Sequence, residues 1–244
     1  FTSTDQNLTG LSAGTYNVTV TDENDCEVTG EYIITEPAEL DISSFTLSSY
    51  EDGYGVTCNG ASDGTISIVV EGGADAQAYE FAWTGPNGFT STDQNLTGLS
   101  AGTYNVTVTD ENDCSDTGEY IITEPAELVI SSSNVPEFEG GYEVTCNGAF
   151  DGSLSLVVEG GTDSYSYSWS FNSEAIANLS TLSPTELEAF ATSNSLSLSD
   201  LSIALNNTYT VSSTTTNNTG YSLTGLPAGE YTVVVQDENG CSDT

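Results

Sequence analysis

Residues Phe1–Cys26, FTSTDQNLTGLSAGTYNVTVTDENDC, recur without a change at Phe89–Cys114, 88 positions further on. The identity resumes through GEYIITEPAEL at Gly30–Leu40 and Gly118–Leu128, and is broken where Glu27-Val28 becomes Ser115-Asp116. A diverged third copy opens at the same offset, with VTCNGASDGTISIVVEGG from Val56 answered by VTCNGAFDGSLSLVVEGG from Val144. A fixed period of this size means one structural unit stacked in an array. It divides the chain into the C-terminal part of a truncated repeat (1–40), a complete repeat (41–128) and a diverged repeat (129–244) that lacks its last strand. Both ends fall inside a repeat, so the polypeptide is expected to continue in both directions.

The third copy leaves the period after its tryptophan. Trp169 follows Trp83 by 86 residues, whereas Cys241 follows Cys114 by 127, so 41 extra residues lie between the Trp and the final Cys. The insertion, about 170–218, contains Ser183-Pro184-Thr185-Glu186-Leu187-Glu188-Ala189-Phe190 and Ser199-Asp200-Leu201-Ser202-Ile203-Ala204-Leu205. Each opens on an N-cap residue followed by acidic and apolar positions, which predicts two short helices.

Elsewhere the apolar residues alternate, as in half-buried strands. Ile66, Ile68 and Val70 share one face, as do Tyr79, Phe81 and Trp83, and Tyr104, Val106 and Val108. The third copy repeats this with Leu154, Leu156 and Val158, with Tyr165, Tyr167 and Trp169, and with Tyr231, Val233 and Val235. Turn residues separate the runs at Ser62-Asp63-Gly64, Gly72-Gly73, Gly85-Pro86-Asn87-Gly88, Ala101-Gly102 and Asn112-Asp113. Short strands with a turn about every ten residues give an all-β fold of tandem Ig-like sandwiches, with a small helical insertion in the last. Aromatics at alternating positions of one strand are core material ahead of a ligand-stacking platform. Gly98-Leu99-Ser100-Ala101-Gly102-Thr103-Tyr104 reads as a corner whose Tyr bonds back to the backbone.

Charge narrows the function. The chain holds 37 Asp and Glu and no Lys, Arg or His, where an ordinary composition would bring about thirty basic residues. That removes the Schiff-base lysine, the imidazole base, the Ser-His and Cys-His nucleophiles and the arginine clamp on phosphate. A formal charge of −37 also excludes nucleic acid as a partner and repels an anionic membrane. No apolar run is long enough to span a bilayer, so no membrane insertion by this segment is expected. Asp116-Thr117-Gly118 spells an aspartic-protease triplet, but the first copy has Val28 at the same place, so the acid is dispensable to the repeat. Near-identical repeats also argue against a two-carboxylate glycosidase. The chain is read as no enzyme. The Asn-x-Ser/Thr sequons at Asn7, Asn17, Asn95, Asn105, Asn178, Asn206 and Asn217 arise readily in a Thr/Asn-rich β protein and support no glycosylation.

Together, Cys58-Asn59-Gly60, Gly72-Gly73, Tyr79-Glu80-Phe81-Ala82-Trp83, Leu99-Ser100-Ala101-Gly102-Thr103-Tyr104 and Asp110-Glu111-Asn112-Asp113-Cys114 resemble the SprB-type repeat of Bacteroidota surface adhesins. The third copy matches through Cys146, Gly160-Gly161, Tyr165-Ser166-Tyr167-Ser168-Trp169, Leu226-Pro227-Ala228-Gly229-Glu230-Tyr231 and Asp237-Glu238-Asn239-Gly240-Cys241. The resemblance implies a structural and adhesive segment of a long extracellular filament, exported by type 9 secretion and, in gliding bacteria, moved along the cell surface. Its partners would be further repeats of the same chain and an adhesion target such as a surface polysaccharide. The alternative is a carbohydrate-binding accessory module of a secreted protein, which would need a solvent-exposed aromatic platform.

Five cysteines at repeat-locked positions point to disulfides in an oxidising compartment. Pairing within a repeat joins Cys58 to Cys114 and Cys146 to Cys241, with Cys26 paired outside this stretch. Pairing across a boundary joins Cys26 to Cys58 and Cys114 to Cys146. The first scheme is preferred, because the strand GEYIITEP leading away from Cys26 would carry the next cysteine roughly 25 Å off. No cofactor is expected beyond calcium, for which Asp63, Asp75, Asp110, Asp113, Asp151, Asp163 and Asp237 are the candidate ligands. The competing reading of Asp110–Asp113 and its copies is a tight turn, because Asn-Asp becomes Asn-Gly in the third copy, and it comes first.

Overall fold

The computed structural model describes residues 2–74, 78–162, 164–194, 196, 211–215 and 220–244. Strands dominate, in several antiparallel sheets, with two short helices among the described residues.

The first copy forms a hairpin of β1 (Gly14–Thr21) and β2 (Glu27–Ile34). The complete repeat contains β3 (Ala38–Leu47), β4 (Gly64–Gly73), β5 (Glu80–Thr84), β6 (Thr90–Ser91), β7 (Leu96–Leu99), β8 (Gly102–Thr109) and β9 (Ser115–Ile122). These form one sheet of order β3-β4-β7 and another of order β6-β5-β8-β9. Their inward residues make one core of Ile66, Ile68, Trp83, Leu96, Leu99, Tyr104, Val106, Val108, Tyr120 and Ile122. This is the expected sandwich, with alternate residues of each strand facing in. Tyr79, Phe81 and Val70 pack at its margin, only partly buried. The opening strand starts at Ala38, so the border at residue 40 suggested by the period falls inside a strand.

The enlarged repeat reproduces the plan with β10 (Val129–Asn134), β11 (Gly152–Glu159), β12 (Tyr165–Phe171), β13 (Val211–Thr215), β14 (Tyr221–Leu226), β15 (Tyr231–Gln236) and β16 (Ser242–Asp243). The sheet orders β10-β11-β14 and β13-β12-β15-β16 correspond strand for strand to those of the preceding unit. Tyr165, Tyr167, Trp169 and Phe171 are all buried, with Tyr167 stacked on Tyr221 at 4.8 Å between centroids.

The insertion departs from expectation at its start. A first helix, α1 (Ser173–Leu179), follows β12 directly, capped by Asn172, whose side chain accepts the Ala175 N–H. The second, α2 (Pro184–Ser193), is the expected one, with Ser183 and Glu186 forming a capping box. The helix expected at 199–205 lies outside the described residues. Ala175, Leu179, Phe190 and Ala191 bury their side chains in the same core as Trp169, so the described helices thicken the sandwich.

Gly72 and Gly73, expected as a turn, instead end strand β4 with left-handed backbones, where its ladder with β3 is irregular. Gly72 has φ +79, and a Cβ there would lie 1.8 Å from the Glu39 carbonyl oxygen; Gly160 meets Glu127 in the same way. Only glycine permits that approach of two backbones.

Candidate functional site: the junction between repeats

A sandwich of this kind has two poles, and the cysteines mark them. At one pole the Asp110–Cys114 turn closes β8 onto β9. The Asp110 N–H donates to the Cys114 carbonyl (2.9 Å), and Asp113, at φ 63, bonds back to the Asp110 carbonyl. The Asp110 carboxylate accepts N–H groups from Asn112 and Cys114 through Oδ1 and from Ala74 through Oδ2, each at 2.9 Å. These donors, the Ala74 N–H foremost, hold its carboxyl below the usual carboxylate range. The copies agree: Asp22 closes on Cys26, and Asp237 on Cys241 and Thr162. Gly240 occupies the left-handed position of Asp113. The tight-turn reading of this motif therefore describes it.

At the other pole, Thr57 donates its N–H (3.1 Å) and hydroxyl (2.6 Å) to Asp63, bracing the loop that carries Cys58. Thr145 and Asp151 repeat both bonds around Cys146. The departing chain lies alongside: Gly55 donates to the Thr123 carbonyl (2.9 Å), Asn59 to the Pro125 carbonyl (3.0 Å) and the Gly60 N–H to the Glu124 carboxylate (2.7 Å).

These placements leave the candidate calcium ligands apart. Asp63 and Asp151 serve Thr57 and Thr145, Asp110 and Asp237 serve their turns, and Asp113 supplies turn backbone. Asp75 and Asp163 lie outside the described residues. Among the described residues no three acidic or cysteine side chains converge as a metal would require.

The disulfide differs from the preferred pairing. Cys58 is joined to Cys241, with 5.6 Å between the Cα atoms, while Cys26, Cys114 and Cys146 are exposed thiols. Neither Cys58–Cys114 nor Cys146–Cys241 forms: Cys241 is already taken by Cys58, and β9 separates Cys58 from Cys114. Cys114 precedes its first residue and Cys58 sits beside Thr123, just past its last. Eight residues of strand place the two about 26 Å apart, far outside disulfide reach. The distance that spoke against pairing across a boundary is the length of this strand, and it separates the two cysteines of one unit.

The same strand delivers the chain to the next unit. Leaving beside Cys58, it enters the enlarged repeat at the pole of the Asp237–Cys241 turn, where Gly161 packs on Leu128 and Asp237. The facing poles meet, and Asn239 Nδ2 donates to the Thr57 carbonyl (3.2 Å) beside the bridge. The junction is thus a covalent clasp between successive sandwiches.

Other concavities belong to the fold. A cavity of about 380 Å³ is lined by Val144, Gly152, Leu154, Leu226 and Tyr231. In the complete unit the corresponding Gly55 and Gly64 lie against Ile122 of β9, so the space is a strand slot. Asp116, of the protease-like triplet, accepts the Ile42 N–H at 2.9 Å across the sheet edge, as Asp243 does for Ile130.

No helix among the described residues is long and apolar enough to cross a membrane. Among curated proteins, none matches the chain in sequence. The chain is similar to a crystal structure of a tetra-tandem repeat in the extending region of a large adhesion protein, at 17% identity and a TM-score of 0.25, over 96% of this chain and 55% of that one. It is also similar to dimeric latent PorU from Porphyromonas gingivalis, at 11% identity and a TM-score of 0.23, over 98% of this chain and 24% of that one. The chain spans about half the length of the first, and likenesses this loose carry no functional argument. The family model described as the SprB repeat matches at residues 56–88 and again at 143–173, covering the opening cysteine, the Gly-Gly pair and the aromatic strand of both units. The chain thus carries, at these two places, matches to the SprB repeat, a repeat of Bacteroidota cell-surface adhesins.

Proposed function

We propose that this segment is a tension-resisting stalk in a long surface adhesin, a non-catalytic row of sandwiches that holds a binding region away from the cell. The observation that carries this reading is the Cys58–Cys241 bridge, which ties one repeat to the next at facing poles. A stalk needs joints that resist being pulled or folded back. Charge favours the same role, since 37 acidic side chains without a basic one make neighbouring units repel and favour extension. Burial of Trp83, Tyr165, Tyr167 and Trp169 leaves the main aromatic strands unable to serve as a sugar-stacking platform. The reading extends, on the family resemblance, to export by type 9 secretion and movement along the surface of a gliding cell.

Negative-stain images of a longer array test the stalk. Beads in a line are expected, and a compact body in which repeats pack side by side would overturn it. On living cells, antibody against the enlarged repeat would label moving surface points if the adhesin is mobile and fixed ones if it is not.

A further inference from the structure

The Cys58–Cys241 bridge is a single instance, yet both of its half-sites recur. Cys26 and Cys114 occupy the same Asp-to-Cys turn as Cys241, with the Cys N–H donated to the Asp Oδ1 at 2.9 Å in all three copies. Cys146 occupies the loop of Cys58, where the residue after the cysteine's Asn-Gly donates to the cysteine carbonyl, Ala61 at 3.0 Å and Ala149 at 2.9 Å. All three thiols are exposed. We infer that one rule governs every cysteine: the opening cysteine of each repeat pairs with the turn cysteine of the repeat that follows. Cys146 then awaits the turn of the next repeat, while Cys114 and Cys26 await opening cysteines of earlier ones. The inference deepens the stalk reading and rests on it.

Bridges drawn by this rule overlap. The Cys58–Cys241 loop spans 183 residues and contains Cys146, where the next loop begins. Each bridge forms as two thiols give up two protons and two electrons to a disulfide oxidant, which leaves as a pair of thiols. In an array of plain repeats, tension entering at an opening cysteine crosses the bridge to the next unit's turn. It then has only the run from a turn cysteine to the following opening cysteine to traverse, 32 residues from Cys114 to Cys146. Every two repeats of 88 residues could therefore lengthen to only about 110 Å even if unfolded, against about 600 Å for the unbridged chain.

Peptide mapping tests the rule without reference to filament shape. The chain, refolded with oxidised glutathione, is alkylated and cut with an Asp/Glu-specific protease, since trypsin has no site. The expected result is one linked pair holding Cys58 and Cys241, with Cys26, Cys114 and Cys146 alkylated. A second chain carries Cys114→Ser and is extended by GEYIITEPAEL and a copy of residues 41–128. There Cys146 is expected to link to the appended unit's turn cysteine. Linkage of Cys58 to Cys114 or of Cys146 to Cys241 in the first chain, or an alkylated Cys146 in the second, would overturn the rule. Images of beads in a line would still stand in that event, so the two readings fail separately.

Discussion

The Asp116 carboxylate accepts the Ile42 N–H at 2.9 Å, joining β9 to β3 across the edge where the two sheets of the sandwich meet. The register of β3 against β4 shifts between Ile42 and Ser44, which frees that N–H from the ladder. Asp116→Val, the residue found at the equivalent Val28, leaves a part-buried donor unpaired and is expected to lower the stability of the complete unit by about 1–2 kcal/mol. Hydrogen exchange of peptides from 41–128 under rising urea would measure this. An unchanged midpoint would mean that water replaces the carboxylate.

The corner expected at Tyr104 recurs in all three copies, with the hydroxyl donating four residues back. Tyr16 reaches Ser12, Tyr104 reaches Ser100 at 2.9 Å and Tyr231 reaches Pro227 at 2.7 Å. Burial raises the ionisation of the Tyr231 phenol well above its ordinary value. Tyr104→Phe keeps the ring against Phe89, at 5.3 Å between centroids, and removes only the bond. A loss of about 1 kcal/mol is expected, read from the urea midpoint of the same peptides, while Tyr16→Phe in the exposed hairpin should change it little.

Acid should destabilise the fold through its turns. Asp110, Asp151 and Asp243 are held below the ordinary carboxylate range, chiefly by the Ala74 N–H, the Thr145 hydroxyl and the Ile130 N–H. Because their folded values lie below the unfolded value of about 4, their contribution is complete above that pH and lost as pH falls through the folded values. Repulsion among uncompensated carboxylates acts in the opposite sense and eases as they protonate, mostly below about pH 5. The melting temperature is expected to rise as pH falls from about 5.5 to about 4 and to fall again at lower pH. Added 0.5 M NaCl should flatten the first limb by screening and leave the second. A melting temperature independent of salt at pH 7 would show that the charges do not oppose folding.

What the sequence made legible was periodic. Alternation at Tyr165, Tyr167 and Trp169 located strands and core, because burial on one face imposes a period of two whatever the unit's neighbours do. The Asn-Asp to Asn-Gly exchange identified a turn, because Asp113 and Gly240 share a left-handed backbone. The helix at 173–179 was missed although Asn172 caps it, since the strand runs on to Phe171 and leaves no loop to mark a boundary. Disulfide partners were not legible for a geometric reason. Spacing along the chain is silent about which pole a cysteine occupies, and Cys58 and Cys114, in one repeat, lie at opposite ends of β9.

That separation has a mechanical consequence that can be measured. An array of plain repeats, stretched in a single-molecule force instrument, is expected to reach about 110 Å per two repeats when oxidised and about 600 Å after reduction, a roughly fivefold gain. Pairing inside each repeat would behave differently. A bridge from the opening cysteine to the turn cysteine of one unit encloses 56 residues, the spacing of Cys58 and Cys114, and leaves 32 of every 88 extensible. The oxidised array would then reach about 220 Å per two repeats, and the gain on reduction would be less than threefold. The ratio of reduced to oxidised length thus distinguishes a clasp across each junction from a staple within each unit. Cys58→Ser in one repeat of the array should release less than one whole unbridged step, because the overlapping clasps on either side still bear the tension.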